Sequence, residues 1–246
     1  MRLAQRAASL TEFMDDPGCD PAKLRRTVER FSIVNRMVSC WGAVYRQRVT
    51  PVFAELSQGR RAWGGPATPL RILDIGCGGG DVLRRLVRRS RRDGFDVSAT
   101  GIDPDARLLH VAQSTPMSGV TFHELTSRDL AMRGERYDLV ISNHLMHHLD
   151  DVGLAGLFAD SEVLAGSLSL HSDIARGRGA YVGYAVGAAP IAAGSYLRVD
   201  GLRSIRRSYT ASELGAVLPL GWAVERPGPF RLLASRLASP ARPSAR

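Results

Sequence analysis

The chain has 246 residues, of which 44% are hydrophobic and 23% charged, with a formal net charge of +9. That length and apolar content are ordinary for a soluble domain and sufficient for one full core, burying roughly 70 to 75% of the unfolded surface. Three cysteines, Cys19, Cys40 and Cys77, in no Cys-x-x-Cys spacing argue against a disulfide framework or a cysteine zinc site, and no apolar run approaches the roughly 20 residues of a membrane span.

The positive charge is carried almost wholly by arginine, Lys23 being the single lysine, a skew better explained by a GC-rich genome than by phosphate recognition. Its distribution is informative. Residues 1–65 hold 11 basic and 6 acidic groups, residues 66–165 hold 11 and 14, and residues 166–246 hold 11 and 4. An acidic middle between basic flanks would draw an anionic or ionisable small molecule if the flanks border a site. The opening residues Met1-Arg2-Leu3-Ala4-Gln5-Arg6 lack a secretory apolar stretch, so a cytoplasmic location is expected.

Residues 21–57 carry apolar side chains at helical spacing, from Leu24 through Phe31, Trp41 and Tyr45 to Leu56, and Asp20-Pro21 reads as an N-cap with a first-turn proline. Gly59 to Pro69 reads as a linker. From Leu70 strands and helices alternate: strand 70–75, helix 81–92, strand 96–103, helix 104–114, strand 120–125, strand 137–143, helix 154–165 and strand 167–174. Residues 175–207 read as an insertion, Thr210-x-x-Glu213 as a capping box opening a helix at 211–218, and 222–225 with 230–234 as a terminal hairpin. The pattern predicts an α/β fold with a doubly wound, mostly parallel Rossmann-like sheet, a C-terminal antiparallel hairpin, an N-terminal helical lid and a helical insertion after strand 5. The expected divisions are a lid at 1–65, a core domain at 66–238 with a cap at 175–207, and a disordered tail at 239–246.

The first strand breaks into Gly76-Cys77-Gly78-Gly79-Gly80 and then a helix, which brings backbone amides up to a nucleotide-type ligand. A dinucleotide fingerprint would need glycine at position 81, where the chain has Asp81, and this weakens a nicotinamide reading. Asp103 closes the second strand, where a carboxylate can bond both ribose hydroxyls; its other reading is a helix cap before Pro104.

These residues, with Leu73-Asp74-Ile75-Gly76, Gly101-Ile102-Asp103-Pro104 and Arg136-Tyr137-Asp138 through Asn143-His144-Leu145-Met146-His147-His148-Leu149, resemble the class I S-adenosylmethionine-dependent methyltransferases over roughly residues 70–175. The resemblance implies S-adenosylmethionine as methyl donor, bound by Asp74, Gly76, Cys77, Gly78, Asp103 and Pro104. It puts Thr126 and Ser127 where the family has an acidic and a small residue for the adenine, with Asp129 as the substitute, and it sets Asn143 and His144 beside the reacting methyl group. More loosely, residues 200–210 resemble bacterial methyltransferases of secondary metabolism and quinone modification.

The expected reaction is O-methylation of a small phenolic, enolic or hydroxylated natural product by in-line transfer with base assistance, with C- or N-methylation as alternatives. His147 is the preferred base and His144 the second candidate, while His148 reads as structural. His171 and Asp173, ending strand 5, should meet the His144–His148 stretch at the carboxyl edge of the sheet, with Arg176 and Arg178 near Asp173. No carboxylate stands at a recognisable ligand spacing from these histidines, so no metal is expected. Phe31, Asn35, Arg36, Trp41 and Tyr45, with Tyr196, Arg198 or Arg206, are expected to roof the pocket. An RNA or protein methyltransferase is disfavoured by Ser142-Asn143-His144-Leu145, which is not an Asn/Asp-Pro-Pro-aromatic sequence, and no nucleic-acid partner is expected. A non-catalytic binder is a second rival and a nicotinamide-dependent oxidoreductase a remote third, and the chain is expected to be a monomer or homodimer.

Overall fold

The computed structural model describes residues 3–62 and 68–238. The expected tail at 239–246 and the middle of the expected linker lie outside them. A seven-stranded sheet, in the order β3-β2-β1-β4-β5-β7-β6, forms the centre. Its strands are β1 (Leu70–Ile75), β2 (Val97–Ile102), β3 (Val120–His123), β4 (Tyr137–Asn143), β5 (Ala165–Ile174), β6 (Ala223–Glu225) and β7 (Arg231–Leu237). The first five pair in parallel, and β7 lies antiparallel between β5 and β6. β1 is buried at every position but Arg71, as a central strand covered on both faces must be.

Helices α1 (Pro21–Val38), α2 (Trp41–Val44), α3 (Thr50–Ala62), α4 (Asp81–Arg92), α5 (Ala106–Gln113), α6 (Ser127–Met132), α7 (Asp151–Leu164), α8 (Arg178–Gly187), α9 (Leu197–Arg207) and α10 (Ala211–Val217) surround the sheet. α4 turns Val82, Leu83, Leu86 and Val87 onto the sheet, and each fully buried aliphatic side chain contributes roughly 1.5 to 3 kcal/mol. Among the described residues no helix is long and apolar enough to cross a membrane.

Three expectations change. The helical stretch over 21–57 is interrupted: α1 ends at Val38 with Ser39 as its C-cap, Cys40 takes a left-handed conformation (φ 57°), and the chain restarts at Trp41 and passes through a π-helical turn at Tyr45–Val49. The linker begins later than Gly59, because α3 runs to Ala62. A short helix, α6, follows β3; its sequence signal is Thr126-x-x-Asp129, a capping box formed in full. The insertion is helical as expected, a pair formed by α8 and α9 in close approach at Gly201, where an added Cβ would run into the Tyr184 ring.

The sheet order reverses at β1, between β2 and β4. Doubly wound sheets bind ligands outside the carboxyl ends of the strands at such a switch point. Here that places the glycine loop after β1 beside the Asn143–His148 segment after β4.

Candidate active site

A cavity of about 420 Å³ opens at this switch point, within the usual range for small-molecule sites. Its floor is Asp74 and the loop Gly76 to Gly79; Asp81, Asp103 and Pro104 form one side and Asn143, His144, His147 and His148 the other. Phe31 and Asn35 of α1, Tyr184 of α8, Gly201 and Ser204 of α9, and Glu12 and Asp15 of the amino-terminal segment close it.

The glycine loop is shaped for a ligand. Gly78 is left-handed (φ +51°), and a Cβ built on it would meet no atom within 4 Å, whereas a Cβ on Gly80 would fall 2.5 Å from the Phe122 ring. Gly80 is thus required by packing and Gly78 by backbone conformation, with open cavity beside it. Asp103, only 6% exposed, braces the loop: one carboxylate oxygen accepts the Gly78 amide at 2.9 Å and the other the Asp105 amide at 2.9 Å. The residue that caps α5 is Asp105, whose side chain accepts from the Arg107 amide.

Three carboxylates converge on this wall. Asp74 is buried, with its Oδ1 lacking any hydrogen-bond partner. Burial first, then the neighbouring Asp81 and Asp103 charges, push its carboxyl well above the ordinary range; burial likewise raises Asp81 and Asp103. Anions crowded in a buried wall leave room for a cationic ligand, since a positive charge there would be stabilised and an anion repelled.

The opposite wall is a set of paired side chains. Asp173, at the end of β5, accepts both the backbone amide of His147 (2.9 Å) and its Nδ1–H (2.7 Å). Nε2 of His147 is buried, without a hydrogen-bond partner and 3.4 Å from Glu12 Oε1. Burial opposes charge on this ring, but Asp173 and Glu12 together outweigh it and raise its pKa to about 9, so the ring is an imidazolium at neutral pH. Conversely, burial and Arg231 hold His144 well below the usual histidine range. Arg231 donates to His144 Nε2 at 3.0 Å, which sets the neutral tautomer with the proton on Nδ1 and leaves His144 no free acceptor nitrogen.

Asn143 is held through both its amide oxygen and its amide nitrogen. Its Oδ1 accepts from Trp41 Nε1 (3.0 Å) and from Arg231 Nη2 (2.9 Å), and its Nδ2 donates to Asn35 Oδ1 (3.3 Å). Asn35 in turn donates to Asp81 at 3.1 Å. This chain of hydrogen bonds ties α1 and α2 to the sheet edge and the glycine loop.

Several expected contacts lie elsewhere. Thr126 spends its hydroxyl and amide on the capping box with Asp129, and Ser127 donates to Asp160. Neither lines the cavity, whose wall beyond Asp103 is made by Asp105 and Leu108. His171 points into the core, sharing a hydrogen bond with Ser142 and stacking on Trp222, and burial lowers its pKa to about 3. Arg176 reaches Glu213 and the carbonyls of Leu3, Ala4 and Ser208, not Asp173. Of the expected roof, Phe31 and Asn35 face the cavity, while Trp41 and Tyr45 belong to the core. Arg36 lines an adjoining arginine-rich groove of about 750 Å³ with Arg84, Arg85, Arg88, Arg89 and Arg92. Tyr196 accepts from the Asp20 amide through its hydroxyl and stacks on Phe13.

Glu12, Asp15, Tyr184, Ser204, Arg207 and Arg231 were not foreseen. Arg231 leaves one hint in the sequence, a charge heading the apolar run Leu232-Leu233-Ala234. Glu12 leaves none; it is placed by the amino-terminal segment, whose Phe13 and Met14 amides bond Asp200 of α9 at 2.8 and 3.0 Å.

A parallel sheet reversed at β1, an antiparallel β7 inserted beside β5 and a glycine cradle facing a carboxylate at the end of β2 define a Rossmann-like, class I methyltransferase fold. Residues 72–162 match the family model described as a methyltransferase domain, and this match with the fold supports an S-adenosylmethionine-dependent methyltransferase. It is similar to the ubiquinone biosynthesis O-methyltransferase of Azorhizobium caulinodans, 40% identical over 92 residues that make up 36% of this chain and 34% of that protein. The protein of the same name from Brucella ovis is 34% identical over 117 residues, 47% of this chain and 46% of that protein. The chain thus spans between about a third and a half of the length of these curated relatives. Among solved structures, the plantazolicin methyltransferase BpumL, in complex with a monoazolic desmethylPZN analog and SAH, shares the fold with a TM-score of 0.52 at 15% identity, over 88% of this chain and 96% of that one. A structure titled for the conversion of a disulfide bond into a thioacetal group during echinomycin biosynthesis gives a TM-score of 0.50 at 19% identity, over 77% of this chain and 83% of that one.

Proposed function

We propose that this protein is an O-methyltransferase that moves the methyl group of S-adenosylmethionine to a hydroxyl of a small phenolic or enolic molecule. The observation that carries the reading is continuity: one cavity runs from the glycine loop and Asp103 to the buried His147–Asp173 pair. When bound, the donor supplies an electrophilic methyl group on a positively charged sulfur. The open space at Gly78, the partnerless oxygen of Asp74 and the three-carboxylate wall fit such a cation. Gly76, Cys77, Gly78, Asp103 and Pro104 would hold it, with the ribose at Asp103.

The chain's own work is placement, exclusion of water and handling of one proton. Residues 3–62 and the α8–α9 pair act as lid and cap over the cavity. Asp173 fixes the His147 ring, whose Nε2 points to Glu12 at 3.4 Å. A phenol has a pKa of about 10, so giving its proton to the neutral form of a histidine raised to about 9 is uphill by roughly 1.4 kcal/mol, and at neutral pH the ring must first shed its own proton, which costs roughly 2.7 kcal/mol more. Once neutral, His147 takes the proton of a phenolic hydroxyl and, as imidazolium again, holds the acceptor as its anion. His144, tied to Arg231, serves as a neutral wall.

The test is incubation with labelled S-adenosylmethionine and a panel of phenols, quinols, pyrones, amines and hydroxy acids, read by mass spectrometry. O-methylated phenols or enols are the expected products. Turnover confined to nitrogen or carbon acceptors would refute the oxygen assignment, and absence of donor binding would refute the whole reading.

A further inference from the structure

The cluster at the acceptor end of the cavity holds more than an acid–base pair. Glu12 Oε1 lies 3.4 Å from His147 Nε2 and 3.8 Å from His148 Nε2, and the three donor atoms all fall within 4.8 Å of one another. Around one ion with bonds of 2.0 to 2.1 Å, tetrahedral donors stand about 3.4 Å apart, so these separations are close to those that a single cation would impose.

The surroundings match as well. Each imidazole presents Nε2 to the centre and turns Nδ1 to a carboxylate: His147 to Asp173 at 2.7 Å, His148 to Asp15 at 3.4 Å. Outer carboxylates of this kind orient and strengthen histidine ligands. Glu12 is itself held by the Ser204 hydroxyl at 2.8 Å. Against Glu12, Asp15 and Asp173 stand Arg207, 3.7 Å from Glu12 and 3.2 Å from Asp15, and, beyond His144, Arg231. With neutral imidazoles the group keeps an excess of negative charge. His147 is 1% exposed, and its buried Nε2 is aimed at this centre, 3.4 Å from Glu12 Oε1.

We infer that Glu12, His147 and His148 form a three-ligand site for a divalent transition-metal ion of the zinc kind, its fourth position open to the cavity. Two nitrogens and one carboxylate suit zinc and disfavour magnesium, which prefers oxygen. The binding claim stands by itself, whereas its use rests on the proposed O-methylation. An acceptor hydroxyl whose oxygen takes the open position loses its proton to water more easily, because the ion stabilises the oxyanion. In the ion-loaded protein the ion would take over the role given above to the His147 proton.

The experiment uses untagged full-length protein, stripped with chelator and dialysed, then titrated with Zn²⁺ by calorimetry and with Co²⁺ by visible spectroscopy. One ion per chain is expected, with the visible bands of four-coordinate cobalt and no competition from Mg²⁺. Glu12→Gln and His148→Gln should abolish binding, and Asp15→Asn should weaken it about 10- to 100-fold. Wild-type protein that takes up no Zn²⁺, or ligand variants that bind as wild type does while keeping its circular dichroism, overturns the site. S-adenosylhomocysteine binding is measured on the same samples. Cofactor binding without metal uptake removes the metal site alone, and metal uptake without cofactor binding removes the methyltransferase reading alone.

Discussion

Replacing Asp103 with alanine separates two roles that the structure superimposes. The carboxylate accepts two backbone amides, those of Gly78 and Asp105, each at 2.9 Å, in a site only 6% exposed. Hydrogen bonds to a charged group are worth about 1.5 to 3 kcal/mol net. Part of this is offset because burial raises the Asp103 pKa, so the folded state already carries a desolvation cost. A loss of about 2 to 4 kcal/mol of stability is expected from the brace alone, a fall in melting temperature of roughly 5 to 15 °C for a chain of this size. If Asp103 also holds the ribose, donor affinity falls by a further 10- to 150-fold for each hydroxyl bond lost. The two effects part in a cycle: wild type and Asp103→Ala are each titrated by calorimetry with S-adenosylhomocysteine and with its 2′-deoxy analogue. The wild type should lose affinity for the analogue, and the variant should bind both ligands equally weakly. Equal affinity of the wild type for the two ligands would refute the ribose role and leave Asp103 as a brace.

Other expectations follow from the same geometry. Gly78→Ala should lower stability by only about 1 to 2 kcal/mol, the cost of a left-handed Cβ that meets no atom, yet cut S-adenosylhomocysteine binding sharply. Gly80→Ala should reverse that order, because its Cβ runs into Phe122; melting curves beside calorimetry decide. In the metal-free enzyme the rate should climb about tenfold per pH unit toward pH 9, since the productive state has one proton fewer than imidazolium plus phenol. His147→Gln should lower turnover by about 100-fold and abolish this climb, whereas a flat wild-type profile would remove His147 from proton handling. The same raised pKa governs stability. Its contribution, about 3 kcal/mol, is fully present below the unfolded value of 6.5 and lost as pH rises through about 9. Denaturant titrations of metal-free protein across that window should show the loss in wild type and not in His147→Gln.

Alternation of strand and helix from Leu70 onward, with its strict apolar runs, made the parallel sheet legible, because each run needs a covered face that only neighbouring units supply. The Gly76–Gly80 loop, Asp103 and the Asn143–His148 segment announced a donor site in the same way: backbone conformation and strand ends are local properties. The Thr210 capping box was equally local and formed as expected. The break at Cys40 was not legible, since the turn there is held by the Trp41 indole reaching Asn143, far along the chain. Nor was the failure of Thr126 and Ser127 to face the cavity, because Thr126 closes its capping box with Asp129 and the Ser127 hydroxyl goes to Asp160, far along the chain.

The sequence by itself determined the sheet, the cradle and the chemical character of the donor, all of which follow from short-range patterns. Only the tertiary structure decided how the histidines behave. Asp173 and Glu12 make His147 a cation, Arg231 makes His144 a neutral acceptor, and Asp15 orients His148. A histidine's charge depends on groups within a few ångströms, and here those groups come from the amino-terminal segment, β5 and β7, which spacing along the chain does not connect.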